Sequence, residues 1–119
     1  ILDFEAETVY GRPSGQDIRN GVLTLPVLLC KGEWPETTRR LLSKRNKTDG
    51  DVRHIVDAVR ETDARARAAS RAAQHCEEAR AALAPLQKRP EGLALARLAE
   101  ALAERARGLC EDNTRRISK

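Results

Sequence analysis

The chain has 119 residues and lacks methionine altogether, and it has only one Phe, one Tyr and one Trp although 40% of its residues are hydrophobic. A core with so few large side chains must be built from Leu, Val and many closely packed Ala, and burial contributes only about 0.8 kcal/mol per CH2 group. No apolar run approaches the ~20 residues that a membrane-spanning helix needs, and no secretory signal segment is visible. We therefore expect a cytoplasmic protein without a transmembrane segment, whose core is only marginally stable by itself.

Cysteine and histidine are also sparse. Cys30, Cys76 and Cys110 lie far apart, and the chain has neither a C-x-x-C pair nor a His at metal-ligand spacing from a Cys. An odd number of widely spaced cysteines favours small buried or half-buried thiols in a reducing compartment over disulfides or a metal site. His54 and His75 are predicted to be helix residues without partners.

The charge balance is weakly positive, with 22 Lys and Arg against 18 Asp and Glu and a net charge of +4. Basic residues cluster between positions 39 and 47, but no aromatic residues alternate with them and no nucleic-acid-binding motif accompanies them. A solvated helix face explains this cluster better than a nucleic-acid surface does. We expect no nucleic-acid partner, and a helical binding module based on this cluster is a minor alternative.

Apolar periodicity predicts helices along most of the chain. The run from Val22 to Leu29 could form a strand, but a helix is favoured because Thr24 can cap it and Pro26 lies in its first turn, where a missing N–H costs little. Further helices are predicted over residues 36–45, from about 49–51 to 62, over 64–83 and over 91–107, with a polar, frayed tail from 111. The expected buried stripes are Val52, Ile55, Val56 and Val59, then Ala68, Ala72, Cys76, Ala79 and Leu83, and finally Leu95, Leu98, Ala99, Leu102 and Ala106.

The first 26 residues carry an unusual set of residue types at fixed offsets. After Asp3 come a Gly-Arg-Pro-x-Gly-x-Asp block (Gly11, Arg12, Pro13, Gly15, Asp17) and a Gly-x-x-Thr-Leu-Pro run from Gly21 to Pro26. The block alone could be a generic surface turn, because Gly, Pro, Ser and Asp are common turn residues. The whole segment, however, resembles the second aspartate-rich region of the trans-isoprenyl (polyprenyl) diphosphate synthases. In that family an Asp-Asp-x-x-Asp motif is followed by a Gly-Lys-Pro-x-Gly-x-Asp loop.

The resemblance implies an all-α fold, namely the C-terminal helices of an isoprenoid-synthase-type helical bundle that is incomplete on its own. Asp3 matches the last aspartate of the motif, and the chain has no residues for the first two. We therefore expect the C-terminal part of one longer domain, with a diphosphate and metal loop at 1–21, helices at 22–110 and the tail at 111–119. The missing N-terminal half would be the main partner, the intact enzyme would be a homodimer, and this chain alone would be inactive.

The resemblance also implies a prenyltransferase that condenses isopentenyl diphosphate with an allylic diphosphate in a reaction that depends on Mg2+. Mg2+ prefers octahedral oxygen ligation by one or two carboxylates together with phosphate oxygens and water, and Asp3 would bind it directly or through water. Arg12 would bind the substrate diphosphate. The remaining loop and supporting positions would be Gly11, Pro13, Gly15, Asp17 and Arg19, and no catalytic residue is separable from metal and diphosphate binding.

Two positions depart from the family's pattern. Arg12 stands where lysine is usual, which replaces a compact point charge with a planar fork of donors. Val22 stands where a second lysine is common, and Arg19 is the candidate substitute for it. Asp17 would orient the loop or a metal-bound water, or form an Asx turn or helix cap. These departures motivate the alternative of a non-catalytic synthase-like subunit that kept the fold and lost one motif.

Overall fold

The computed structural model of the chain describes the backbone of residues 1–5 and 14–117, and the side chains of these residues up to 109. Within these ranges the regular structure is entirely helical, which confirms the all-α class. The helices are α1 (Gln16–Arg19), α2 (Leu25–Cys30), α3 (Glu36–Ser43), α4 (Asp49–Arg60), α5 (Ala64–Leu83) and α6 (Pro90–Ile117), with 3-10 turns at Leu2–Phe4, Lys31–Glu33 and Ala84–Leu86. The strand alternative for the run from Val22 to Leu29 is thereby excluded.

The chain divides into two compact units, Ile1–Arg65 and Ala66–Lys119. In the first unit the predicted stripe of α4 is the centre of the core, because Val52, Ile55, Val56 and Val59 are all at most 4% exposed. This core also contains two of the three aromatic residues, Phe4 and Trp34, and the other buried members are Ile18, Val27, Cys30 and Ala64. The single-domain layout predicted from the sequence stays a prediction.

A complete capping box begins α4. The Thr48 hydroxyl accepts the Asp51 amide at 3.1 Å, and the Asp51 carboxylate accepts the Thr48 amide at 3.0 Å. Lys44 also donates a hydrogen bond of 2.6 Å to this carboxylate. The hydrogen bond from Lys44, followed by the one from the Thr48 backbone, lowers the pKa of Asp51 from its ordinary value of 3.8. The predicted start of this helix at residues 49–51 is therefore confirmed, and its cap is satisfied by local contacts.

The second unit contains most of α5 and all of α6, and here the predicted stripe was partly wrong. Ala96, Ala99, Ala103 and Ala106 are buried, whereas Leu95, Leu98 and Leu102 are about half exposed, at 52%, 56% and 49%. Both sets follow helical spacing, so α6 carries a broad apolar arc of which the alanine half is covered. Close packing requires small side chains, which explains why the alanines lie inside. The helix also extends past its predicted end at Arg107, to Ile117.

The sparse histidines and cysteines lie as follows. His54 Nε2 lies 3.0 Å from the hydroxyl of the buried Thr38, so the prediction that His54 has no partner was wrong. His75 lies on the exposed surface with its Nδ1 3.6 Å from Glu78. The Cys30 thiol is buried and lies 3.2 Å from the Pro26 carbonyl, and the Cys76 thiol is half-buried, as predicted, while the side chain of Cys110 lies outside the described residues.

No helix in the described part of the chain combines the length and the apolar character that crossing a membrane would require. The predicted cytoplasmic location stays a prediction.

Candidate functional site

Asp3 holds the start of α1 through hydrogen bonds that both its side chain and its backbone carbonyl accept. Its side chain is buried, with 3% of the residue exposed, and both carboxylate oxygens accept backbone hydrogen bonds. Oδ1 accepts the Gln16 amide at 3.0 Å, and Oδ2 accepts the Asp17 amide at 3.1 Å. The Asp3 carbonyl accepts a third amide, that of Gly15, at 2.8 Å. Asp3 therefore binds three successive amides that lie twelve to fourteen positions later in the chain.

Gly15 explains why this cap comes from a distant residue. It occupies the N-cap position of α1 with a φ of +82°, a conformation that favours glycine, and it has no side chain with which to cap the helix. A Cβ at this position would lie 2.5 Å from Val52 Cγ1 and 2.9 Å from Val56 Cγ2. Glycine is thus required both by the backbone conformation and by close contact with α4. Since an ordinary N-cap side chain is excluded, Asp3 supplies the acceptors that the first turn needs.

The ends of the segment that carries the Gly-Arg-Pro block are joined by further contacts. Ser14 donates its hydroxyl to the Glu5 carbonyl. Arg60, at the end of α4, donates from Nε to the Phe4 carbonyl at 2.8 Å and from its terminal nitrogen to the Ser14 hydroxyl at 3.3 Å. Arg65 is buried and forms an ion pair of 2.8 Å with Glu5, whose side chain is also mostly buried. We call these five residues the loop base.

Sequence reasoning missed Glu5, Arg60 and Arg65 as members of this site. The contacting residues lie up to sixty positions apart, and no motif or periodicity links them. Arg60 and Arg65 look in the sequence like ordinary charged helix residues. Their contacts in the loop base become visible only in the fold, where Arg60 at the end of α4 and Arg65 at the start of α5 lie beside the residues that follow Asp3.

Asp17 and Arg19 lie on α1, which the Asp3 carboxylate caps. Arg19 forms an ion pair with Asp49 and donates a hydrogen bond of 3.4 Å to the Lys47 carbonyl. The Asp17 carbonyl accepts the Val22 amide at 2.8 Å and so closes the turn after α1. The structure thus brings Asp3, Gly15, Asp17 and Arg19 close together along the chain's first turns, whereas Gly11, Arg12 and Pro13 lie outside the described residues.

A cleft of about 690 Å³ opens beside these residues in the first unit. Three arginines line it, Arg19, Arg53 and Arg60, together with two aspartates, Asp49 and Asp57. Its remaining lining residues are Ser14, Gln16, Val52 and Val56. Arg19 pairs with Asp49, and Arg60 lies 4.0 Å from Asp57, so much of the positive charge is balanced within the cleft.

Metal ligation has little support among the described residues. No group of three His, Cys, Asp or Glu side chains within them is arranged to hold a metal ion. Asp3 is buried and both of its oxygens already accept hydrogen bonds, whereas a Mg2+ ligand must present an oxygen to the ion at about 2.0–2.1 Å. In this geometry Asp3 does not fit direct coordination.

Comparison with known proteins identifies three related enzymes. The chain is 30% identical to the all-trans-polyprenyl-diphosphate synthase of Homo sapiens. This match extends over 106 residues and covers 88% of the chain and 25% of that enzyme. The chain is 35% identical to the nonaprenyl diphosphate synthase of Mycobacterium tuberculosis. This second match extends over 104 residues and covers 84% of the chain and 31% of that enzyme. It is 31% identical over 80 residues to the probable mitochondrial hexaprenyl pyrophosphate synthase of Yarrowia lipolytica, covering 66% of the chain and 18% of that protein.

No protein-family model matches the chain, and no solved structure matches it significantly. The chain spans less than a third of the length of each of the three relatives described above. All three carry the name of a polyprenyl diphosphate synthase, which agrees with the resemblance of the segment between Asp3 and Pro26. By its sequence the chain belongs to the trans-polyprenyl diphosphate synthase family.

Proposed function

We propose that the chain is part of an enzyme that condenses isopentenyl diphosphate with an allylic diphosphate and so lengthens a trans-polyprenyl chain. The observation that carries this proposal is the match with two enzymes, a polyprenyl diphosphate synthase over 106 residues and a nonaprenyl diphosphate synthase over 104 residues. The block from Gly11 to Asp17 supports it independently, because its glycines and its arginine suit close approach to a diphosphate.

The proposed reaction has three steps. The allylic carbon–oxygen bond breaks and the diphosphate leaves with the bonding electrons. The double bond of isopentenyl diphosphate then attacks the allylic cation, and loss of a proton restores a double bond in the longer product. The charge that develops on the leaving diphosphate must be stabilised, and fixed cations do this most effectively where water is excluded.

The chain's own contribution would be to bind and orient the leaving diphosphate. Arg12 would donate paired hydrogen bonds to its oxygens, in place of the family's usual lysine. Asp17 and Arg19 would support this loop from α1, whose start is held by Asp3. Arg19 is an incomplete substitute for the lysine that Val22 replaces, because Asp49 already pairs with its guanidinium.

Mg2+ is the cofactor that we propose for the complete enzyme, where it would neutralise charge on the diphosphate oxygens. Direct coordination by Asp3 does not fit its burial and its two amide contacts. Other carboxylates, outside this chain, would be the direct ligands.

We further propose that the chain is inactive alone, because it spans only 18–31% of the length of the relatives. The remaining part of the enzyme would supply the rest of the substrate site. A homodimer of the complete enzyme stays a prediction.

The proposal is tested by a condensation assay on the full-length product of the gene that encodes this chain. Labelled isopentenyl diphosphate and a short allylic diphosphate are supplied with Mg2+, and we expect longer polyprenyl diphosphates to form. Arg12→Ala should lower kcat/KM by about tenfold or more, Arg12→Lys should keep most of the activity, and Arg39→Ala on α3 is the matched surface control. A folded, full-length protein that makes no product would contradict the proposal and favour a non-catalytic synthase-like subunit.

A further inference from the structure

We infer that Asp3 is a positioning residue, which holds the start of α1 in place for Asp17 and Arg19, rather than a direct ligand of Mg2+. The inference concerns a residue that the family resemblance assigned to metal binding. It rests on the proposed function only for the part that Asp17 and Arg19 play in supporting substrate, and its structural basis stands by itself.

The Asp3 carboxylate is buried, and each of its oxygens accepts a backbone amide within the protein. Its two oxygens accept the amides of Gln16 and Asp17 at 3.0 and 3.1 Å, and only 3% of the residue is exposed. A carboxylate that accepts backbone N–H groups in a buried position forms strong, charge-assisted hydrogen bonds. Each oxygen keeps a second lone pair, but a hydrated Mg2+ must approach it to about 2.0–2.1 Å, and the burial of the carboxylate leaves no solvent-facing side for that approach.

Among residues 1–5 and 14–109, the side chain that caps α1 is that of Asp3. Its N-cap residue is Gly15, which makes no side-chain hydrogen bond. A larger residue is excluded there by Val52 and Val56 of α4. The helix has only four residues, so its first amides are a large fraction of its hydrogen-bonding groups. Asp3 therefore holds the first turn of this short helix.

Asp3 itself is held in place by neighbouring residues of the loop base. Arg60 binds the Phe4 carbonyl, and Arg65 binds the Glu5 side chain. These contacts fix the backbone on the C-terminal side of Asp3 from α4 and from the start of α5. The Asp3 carboxylate is thus supported on a rigid element and can orient α1 in turn.

The experiment compares Asp3→Asn and Asp3→Ala by NMR in the full-length product of the gene that encodes this chain. Backbone amide hydrogen exchange is measured without metal, with the α4 amides of Ile55 and Val59 as internal references for global folding. Glu33→Gln, on the exposed surface, is the matched control for removing one negative charge. Mg2+ alone is titrated into the wild-type and the Asp3→Asn proteins.

If Asp3 is a positioning residue, Asp3→Ala accelerates exchange at Gln16 and Asp17 by about tenfold or more relative to the α4 references. Asp3→Asn, which keeps one acceptor oxygen, should give a smaller acceleration, and Glu33→Gln should give none. Mg2+ should leave the wild-type amide shifts of Gln16 and Asp17 unchanged.

Two results would overturn the inference. The first is unchanged exchange at Gln16 and Asp17 in Asp3→Ala when the references show a folded chain. The second is a Mg2+-dependent shift of these two amides in the wild type that Asp3→Asn abolishes, as a direct ligand requires. Both readouts are independent of condensation activity, so failure of the proposed function in the assay above would leave this result interpretable.

Discussion

At the scale of single residues, one glycine and one aspartate depend on each other. Gly15 has a φ of +82° and lies against Val52 and Val56, which excludes any side chain at the N-cap of α1. Asp3 compensates by accepting the amides of Gln16 and Asp17 from a distant position. The spacing of the motif therefore serves packing in this chain, alongside the diphosphate binding that we propose for it.

Gly15→Ala should destabilise the chain by about 2–4 kcal/mol, because a left-handed backbone conformation and a steric conflict act together. Gly21→Ala is the matched control, since Gly21 has a similar φ of +78° but nothing within 4 Å of an added Cβ. It should cost only about 1–2 kcal/mol. Urea denaturation followed by circular dichroism measures both free energies of unfolding, and equal losses would contradict the steric argument.

The carboxyl of Asp51 should titrate below its ordinary pKa of 3.8, mainly because Lys44 donates a hydrogen bond to it. A depressed pKa in the folded state means that the stabilisation is complete above pH 3.8 and is lost as the pH falls through the lower, folded value. Lys44→Met should raise the pKa of Asp51 toward 3.8, as measured by NMR titration of its carboxyl carbon. The exposed Lys88→Met is the control, and an unchanged pKa in Lys44→Met would contradict the assigned cause.

At the scale of elements, the helices differ in how their ends and faces are determined. The helix α4 has a capping box formed by residues three positions apart, and its buried stripe follows directly from its apolar pattern. The helix α6 has an apolar arc wider than the surface that covers it, so alanines are buried while leucines remain half exposed. The local sequence pattern thus predicts the start and the buried face of α4 well, and predicts the buried face of α6 only in part.

Thr48→Ala should destabilise the chain by about 1 kcal/mol, because the Asp51 amide loses its acceptor in the first turn of α4. Thr37→Ala, at an exposed position within α3, removes the same atoms without removing a cap. Thermal or urea unfolding of both variants measures the difference. A loss of equal size in Thr37→Ala would show that the capping box contributes little.

The two faces of α6 should respond to substitution in opposite ways. Ala103→Leu should cost about 1–3 kcal/mol, because Ala103 is fully buried and a larger side chain overpacks its site. Leu98→Ala should change the free energy of unfolding by less than about 0.5 kcal/mol, because Leu98 is 56% exposed. If Leu98→Ala instead costs the ~2–5 kcal/mol of a core leucine, the face predicted from the sequence is the buried one.

At the scale of the whole molecule, the chain comprises two compact units and corresponds to less than a third of each related synthase. The family motif lies in the first unit, where α4 supports both Gly15 and the loop base. The contacts of Asp3, Arg60 and Arg65 concentrate at that one place. Experiments on the proposed reaction and on the loop base therefore both use the full-length enzyme.

The sequence by itself determined the features that depend on neighbours a few positions apart. These are the helical class, the start of α4 at its capping box, the buried stripe from Val52 to Val59, and the family, which the segment from Asp3 to Pro26 already indicated. Hydrogen bonds within one turn and apolar periodicity are local, so a linear pattern contains the information they require.

Only the tertiary structure decided which partner each polar group meets across long stretches of chain. The Asp3 carboxylate reaches amides thirteen and fourteen positions away, and Arg60 reaches Phe4 across 56 positions. Likewise, periodicity marks the apolar arc of α6 but cannot say which half of it is covered. Such contacts depend on how whole helices pack, and for that reason the motif predicted Asp3 as important while its hydrogen bonds became visible only in the fold.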